Sequence, residues 1–220
     1  MTAIRAAAVL VVGAILGLVI HASGLTARRG PAQATPAQLR VQLEARGHPA
    51  ALGQAVPWVL LRDAQDRPVR HALPADGRPV VIWFWSCLCR CVRDCEERIV
   101  SLLERYPAER VHFFAVASNP DDSTHDIHKL RMSMGSPYVV FRDVEGATAR
   151  HLGVDASASV AVLDGEGRVR YRGAIDNDLY EPTFSYIDAA LEAILAGTPM
   201  KHTSAPSYGC RFPLPARAPR

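Results

Sequence analysis

Lysine is nearly absent from this 220-residue chain. Lys129 and Lys201 are the only two, so almost all of the positive charge is arginine. That choice points to a bias in genomic composition rather than to phosphate recognition. Basic residues number 25 against 22 acidic ones, and aromatic residues make up only 7%. No basic stripe with interleaved aromatics is present, which excludes a dedicated nucleic-acid binder. Internal repeats are lacking as well. Cysteine is scarce: five are too few for a mini-protein built on disulfides. With 49% hydrophobic and 21% charged residues, the chain has the material for a core and is not a disordered polymer.

The longest apolar run lies near the start. Residues 6–20, AAAVLVVGAILGLVI, follow Arg5 and precede the small and basic residues HASGLTARRG. A charged start, an apolar stretch and then small residues predict a secretory signal. Extended to Leu25 the run is 20 residues long, about enough to cross a bilayer as one helix. Residues 1–25 are therefore expected to be a cleaved signal peptide or an uncleaved membrane anchor. No cysteine follows the run, which excludes a lipoprotein anchor. The expected location is periplasmic or otherwise extracytoplasmic, where disulfides persist.

Residues 26–55, broken by Pro31, Pro36 and Pro49, are expected to be a linker. From Val56 the pattern tightens. VPWVLLRDAQDRPVRHAL predicts a hairpin turning at Asp63–Asp66. PVVIWFW (79–85) predicts a strand buried on both faces. Ile99, Leu102, Leu103 and Tyr106 recur at helical spacing and predict one helix over about 91–106. Further strands are expected at 111–118, 138–143, 159–164 and 168–173, the last two joined by Gly165-Glu166-Gly167. Helices are expected after a Ser123 or Thr124 cap, at ATARHLGV, and at 184–197 with Gly197 as stop. The order β-α-β-α-β-β-α predicts an α/β fold with a mixed central sheet and helices on both faces. Its domain spans 56–197, and 198–220 is an irregular C-terminal tail.

Four of the five cysteines, Cys87, Cys89, Cys91 and Cys95, fall within nine residues where the buried strand passes into the helix. The first helical N–H groups have no partner within the helix, and the dipole makes that end positive. Both stabilise a thiolate, and Arg90 and Arg93 add charge. Cys89, just before the helix, is the expected attacking thiol. Cys91 forms with it a Cys-x-Cys pair whose disulfide would be small and strained. Cys95 lies one turn below Cys91, a spacing that shares a metal more easily than it closes a disulfide. Cys210 stands alone and could resolve Cys89, tie down the tail or stay free. The metal alternative uses Cys87, Cys91 and Cys95 with a soft ion such as copper.

Other candidates are weaker. His125 and His128, three residues apart, suit a solvated helix face. His151 suits a helix end. Of Trp83 and Trp85, one is expected in the core and the other shielding the thiols. Asp164 suits a turn, and Asp176-Asn177-Asp178 falls short of a calcium site. Glu96 and Glu97 suit the helix dipole.

From about Val56 to Cys210 the chain resembles the redoxin branch of the thioredoxin-like superfamily. That branch includes the alkyl hydroperoxide reductase/thiol-specific antioxidant proteins and thiol–disulfide oxidoreductases. The likeness is carried by VPWVLLRDAQDRPV, VVIWFWSCLCRC, VHFFAVASNPDDS, YVVFRDVEGATARHLGV and VAVLDGEGRVRYRGAIDN. YIDAALEAILAGTPMKHTSAPSYGC is similar to the end of some exported redoxins. The resemblance implies a thioredoxin-like fold and Cys89 as the attacking thiol. Cys91 is the first resolving candidate, with Cys210 and Cys95 behind it. It implies a protein thiol or disulfide, or a peroxide, as substrate, and no cofactor. Two features depart from the family pattern. Val92 stands where the usual Cys-x-x-Cys has its second thiol. Asp155-Ala156-Ser157-Ala158-Ser159 has no proline before the strand, so that loop is expected to be trans or differently shaped. Sco-type copper metallochaperones share the fold and also lack that proline. Matched on Cys89, however, their second cysteine falls on Arg93 and their histidine on Ala156.

Overall fold

The computed structural model describes residues 49–63 and 65–214. The expected signal or anchor at 1–25 and residues 26–48 of the 26–55 linker lie outside the described residues. Among the described residues no helix is long and apolar enough to cross a membrane.

The polar turn predicted around Asp63 forms because the Asp63 carboxylate accepts the backbone N–H groups of Gln65 and Arg67. It joins β1 (Trp58–Arg62) to β2 (Pro68–Ala72) in an antiparallel pair. The apolar run that follows is β3 (Val80–Trp85), with all six residues buried. It is the middle strand of a five-stranded sheet made with β4 (His112–Ala117), β5 (Val140–Arg142), β6 (Ser159–Leu163) and β7 (Val169–Ala174). The spatial order is β5-β4-β3-β6-β7. β3, β4 and β5 run parallel, whereas β6 is antiparallel to both β3 and β7. The chain has an α/β thioredoxin-like fold with a mixed central sheet, as its sequence predicts.

The alternation of strand side chains divides the core in two. Val81, Trp83 and Trp85 face one side, packed with Val92, Cys95, Ile99, Leu102, Ile127, Ile187 and Leu191. Those residues come from α1 (Arg90–Asp94), α2 (Glu96–Arg105), α3 (Thr124–Met134), α5 (Tyr186–Ala196) and the cysteine segment. Val80, Ile82 and Phe84 face the other side, against Val59 and Leu61 of the hairpin and Ala149 and Leu152 of α4 (Ala147–Leu152).

The helix predicted over 91–106 is two helices that meet at Cys95. Cys95 has φ −91° and ψ −11°, at the edge of helical space. Its backbone still accepts from Ile99, so the chain bends without a full break. Trp83 and Trp85 are both fully buried on the same face, in the cluster that also holds Cys87, Cys89 and Cys95. Residues i and i+2 of a strand share a face, and Trp83 and Trp85 obey that rule.

The register decides what gathers at the cysteine end of the sheet. Antiparallel pairing sets Phe84 opposite Ser159 and Ser159 opposite Ala174. The loop before β6 and the residues after β7 therefore meet the end of β3. Parallel pairing of Trp85 with Ala117 brings the turn after β4 to the same end.

Residues 198–214 contain no helix or strand, yet they cross this end and pair with it. Ser204 bridges to Arg172 and Arg211 to Ala156. Phe212 is buried in the second core. Two glycines permit the crossing. A side chain on Gly173 would overlap the backbone of Ala205, and one on Gly209 would overlap the Ser157 carbonyl.

Candidate functional site

Cys89 is the N-cap of α1, with extended φ −99° and ψ 118°. It has no exposed surface. The backbone N–H of Cys210 donates to its sulfur at 3.4 Å. Burial pushes the Cys89 thiol up. Hydrogen bonds from Ser157, from the Cys210 thiol and from the backbone N–H groups of Cys210 and Val92 outweigh it, so the net shift is downward. Arg90 is paired instead with Asp94 at 3.6 Å, and Arg93 donates to the Cys87 carbonyl. The sulfur accepts from the Cys210 amide, and neither of the two expected guanidiniums is turned to it.

The other sulfurs differ. Cys91 is half-buried and donates to the Tyr208 carbonyl at 3.4 Å. Burial, and then the charge on Cys89, raise its pKa to about 11. Cys210 is exposed, and its pKa rises to about 11, first because its thiol donates to Cys89. Cys87 donates to Asp122 Oδ1 at 2.9 Å, and burial with that bond pushes it up to about 12. Cys95 is buried and accepts from Arg98 at 3.2 Å, with the Tyr208 hydroxyl 3.6 Å away. Burial raises its pKa against the pull of Tyr208 and Arg98.

The fold thus brings three of the named cysteines together, Cys89, Cys91 and Cys210. Cys95 sits behind them, and Cys87 turns to the other side of the junction. Cys87 faces Asp122, whereas Cys91 and Cys95 face the carbonyl and the hydroxyl of Tyr208. Among the described residues no group of three His, Cys, Asp or Glu side chains is arranged to hold a metal ion. His125 and His128 are exposed on α3, and His151 is buried in α4. Asp164 accepts the backbone N–H groups of Glu166 and Arg168, as a turn former does. Asp176 ion-pairs with Arg98, whereas Asp178 accepts from the Tyr180 and Glu181 backbones, so the two carboxylates diverge. Glu96 accepts from the buried Tyr138 hydroxyl at 2.5 Å; Glu97 is exposed.

The sequence reading missed several residues. Ser157 belongs to a loop noted only for its missing proline. Every peptide bond among the described residues is trans, and Ala158 takes a left-handed φ of 52° while its N–H donates to Phe84. Asp122 lies in a turn read as a helix opening. It accepts from Ser86, from the Cys87 backbone and from the Cys87 thiol. Tyr208 lies in the tail, where its hydroxyl donates to Asp176 at 2.9 Å. None has a local pattern that announces a role, because each acts on a sulfur or carboxylate remote in sequence.

A cysteine at the N-cap of the helix that follows the central strand, in a sheet of this order, is the arrangement of a thioredoxin-like protein. Residues 59–213 match the family described as a domain of unknown function, DUF6436, and the chain belongs to that family. It is 27% identical over 130 residues to the thiol:disulfide interchange protein DsbE of Yersinia pestis. That match covers 58% of this chain and 66% of the relative, just under two thirds of its length. A crystal structure of an uncharacterized conserved protein from Geobacillus kaustophilus superposes with a TM-score of 0.65 at 25% identity, covering 76% of this chain and 94% of that one. The crystal structure of a putative DsbE from Chlorobium tepidum shares the fold, with a TM-score of 0.50 at 20% identity. It covers 67% of this chain and 97% of its own.

Proposed function

We propose that this protein is an exported thiol–disulfide oxidoreductase that exchanges disulfides with protein substrates through the Cys89 thiolate. The observation that carries the reading is the Cys89 sulfur at the N-cap of α1 with the Cys210 N–H donating to it, an arrangement that favours the thiolate against the cost of burial. A thiolate is the form that attacks a disulfide and the form that leaves one. The distant likeness to DsbE-type proteins supports disulfides over peroxides as substrates. The apolar run at 6–20 behind Arg5 supports export, into a compartment where disulfide exchange has substrates.

The test is exchange of the full-length chain with dithiothreitol and with a disulfide-bonded protein such as insulin at neutral pH. Cys89→Ser is expected to cut the rate by about 100-fold or more, because the nucleophile is gone. An unchanged rate in that variant overturns the proposal.

A further inference from the structure

The attacking sulfur of the reading above is sealed, and a second sulfur stands in front of it. Cys89 has no exposed surface, whereas Cys210 is exposed. The Cys210 backbone N–H donates to Cys89 Sγ at 3.4 Å across 121 residues of sequence. That contact sets the Cys210 backbone directly against the Cys89 sulfur. Cys91 is the rival partner, but its thiol is turned to the Tyr208 carbonyl, and a Cys-x-Cys bridge would close a small strained ring.

The segment around Cys210 is held in place independently of any sulfur bond. The Ser157 N–H donates to the Cys210 carbonyl at 2.9 Å, and the Phe212 N–H donates to the Asp155 carbonyl at 2.8 Å. Ser159 donates to Ser207 at 2.7 Å, and Arg211 pairs with Asp155. The loop before β6 thus fastens the segment on both sides of Cys210.

We propose that Cys89 and Cys210 form the redox-active disulfide, and that the thiolate of a partner attacks the exposed Cys210 sulfur rather than Cys89. The proposal rests on the disulfide-exchange reading and adds which sulfur meets the partner. In the first step the partner thiolate forms a bond to Cys210 Sγ while the Cys89–Cys210 bond breaks, and Cys89 takes the electron pair as a thiolate. In the second step the partner's other thiolate attacks its own sulfur in the mixed disulfide. Cys210 departs with the electron pair and takes up a proton. The partner dithiol has been oxidised to a disulfide, and the protein disulfide has been reduced to two thiols. The same steps in reverse, run against a more oxidising protein disulfide, restore the bridge. The asymmetry of the two sulfurs fits these roles, since Cys89 is shifted down and Cys210 is raised to about 11. The sulfur with the lower pKa is the faster leaving group.

The test uses the full-length chain without substitution. It is oxidised with excess oxidised dithiothreitol, mixed briefly with glutathione, quenched in acid and mapped by mass spectrometry. The expected result is a Cys89–Cys210 cross-link before glutathione, and glutathione on Cys210 with Cys89 free after it. A Cys89–Cys91 cross-link as the main product, or glutathione first on Cys89, overturns the proposal. In a second arm Cys210→Ser is compared with Cys89→Ser, and exchange with dithiothreitol is expected to fall about tenfold or more on loss of the entry sulfur. Full exchange in Cys210→Ser with none in Cys89→Ser overturns the proposal and leaves the reading of function standing. Full exchange in Cys89→Ser overturns both.

Discussion

At Cys89 two opposing effects meet. Removing a thiol from water disfavours its charged form, and this residue has lost all contact with solvent. The donors from Ser157, Cys210 and Val92 outweigh that penalty. Each hydrogen bond to a charged acceptor is worth about 1.5–3 kcal/mol, and one pKa unit corresponds to about 1.4 kcal/mol. Ser157→Ala is therefore expected to raise the Cys89 pKa by about one unit, read from the ultraviolet absorbance of the thiolate across pH. An unmoved titration would show that the backbone donors suffice alone. On the other side of the junction Asp122 accepts three donors from Ser86 and Cys87. Asp122→Ala leaves them buried and unsatisfied, and a loss of about 3 kcal/mol of stability is expected in urea unfolding. At this scale Cys89 was legible in the sequence, because its place before a helix is a local property. Ser157 and Asp122 were not, since a serine in a loop and an aspartate in a turn carry no sign of what the fold sets beside them.

Most elements follow from local pattern. Ser123 caps α3 by accepting the Asp126 N–H, Ser185 caps α5 by accepting the Asp188 N–H, and Gly197 ends α5 at φ 65°. The bend at Cys95 escaped the periodicity of 91–106 because apolar spacing continues across it. What ties Cys95 is one local and one remote contact: Arg98, three residues on, donates to its sulfur, and Tyr208 from the tail lies beside it. The tail was expected to be irregular, and it is. Its docking depends on Gly209, where an added Cβ would strike the Ser157 carbonyl. Gly209→Ala is expected to lift the segment away from the loop before β6. Cys89 should then react with iodoacetamide about tenfold faster or more, because its cover is displaced and the reagent can reach the sulfur. Alkylation at the unsubstituted rate would mean that the crossing absorbs a methyl group without moving.

Across the whole molecule the thiols differ in sign. Cys87, Cys91 and Cys210 titrate between about 11 and about 12 in the folded chain. In the unfolded chain they release their protons near pH ~8.5. The folded state therefore holds more protons above that value, and stability falls as pH rises from ~8.5 toward the folded values. Cys89 acts in the opposite sense: its contribution is present above the unfolded value and lost as pH falls through the lowered one. With four thiols raised, Cys95 among them, against one lowered, the reduced protein is expected to melt at a lower temperature at about pH 10 than at about pH 8. An equal or higher melting temperature at the more alkaline pH would contradict these shifts. The sequence by itself determined the order of strands and helices, the burial of β3 and the placement of a thiol before α1, because these depend on periodicity and neighbouring residues. Only the tertiary structure decided that the Cys210 N–H faces the Cys89 sulfur, that Ser157 fastens the Cys210 carbonyl and that Asp122 holds Cys87. Those contacts depend on the antiparallel pairing of β6 with β3 and on the path of the tail, which no stretch of local sequence encodes.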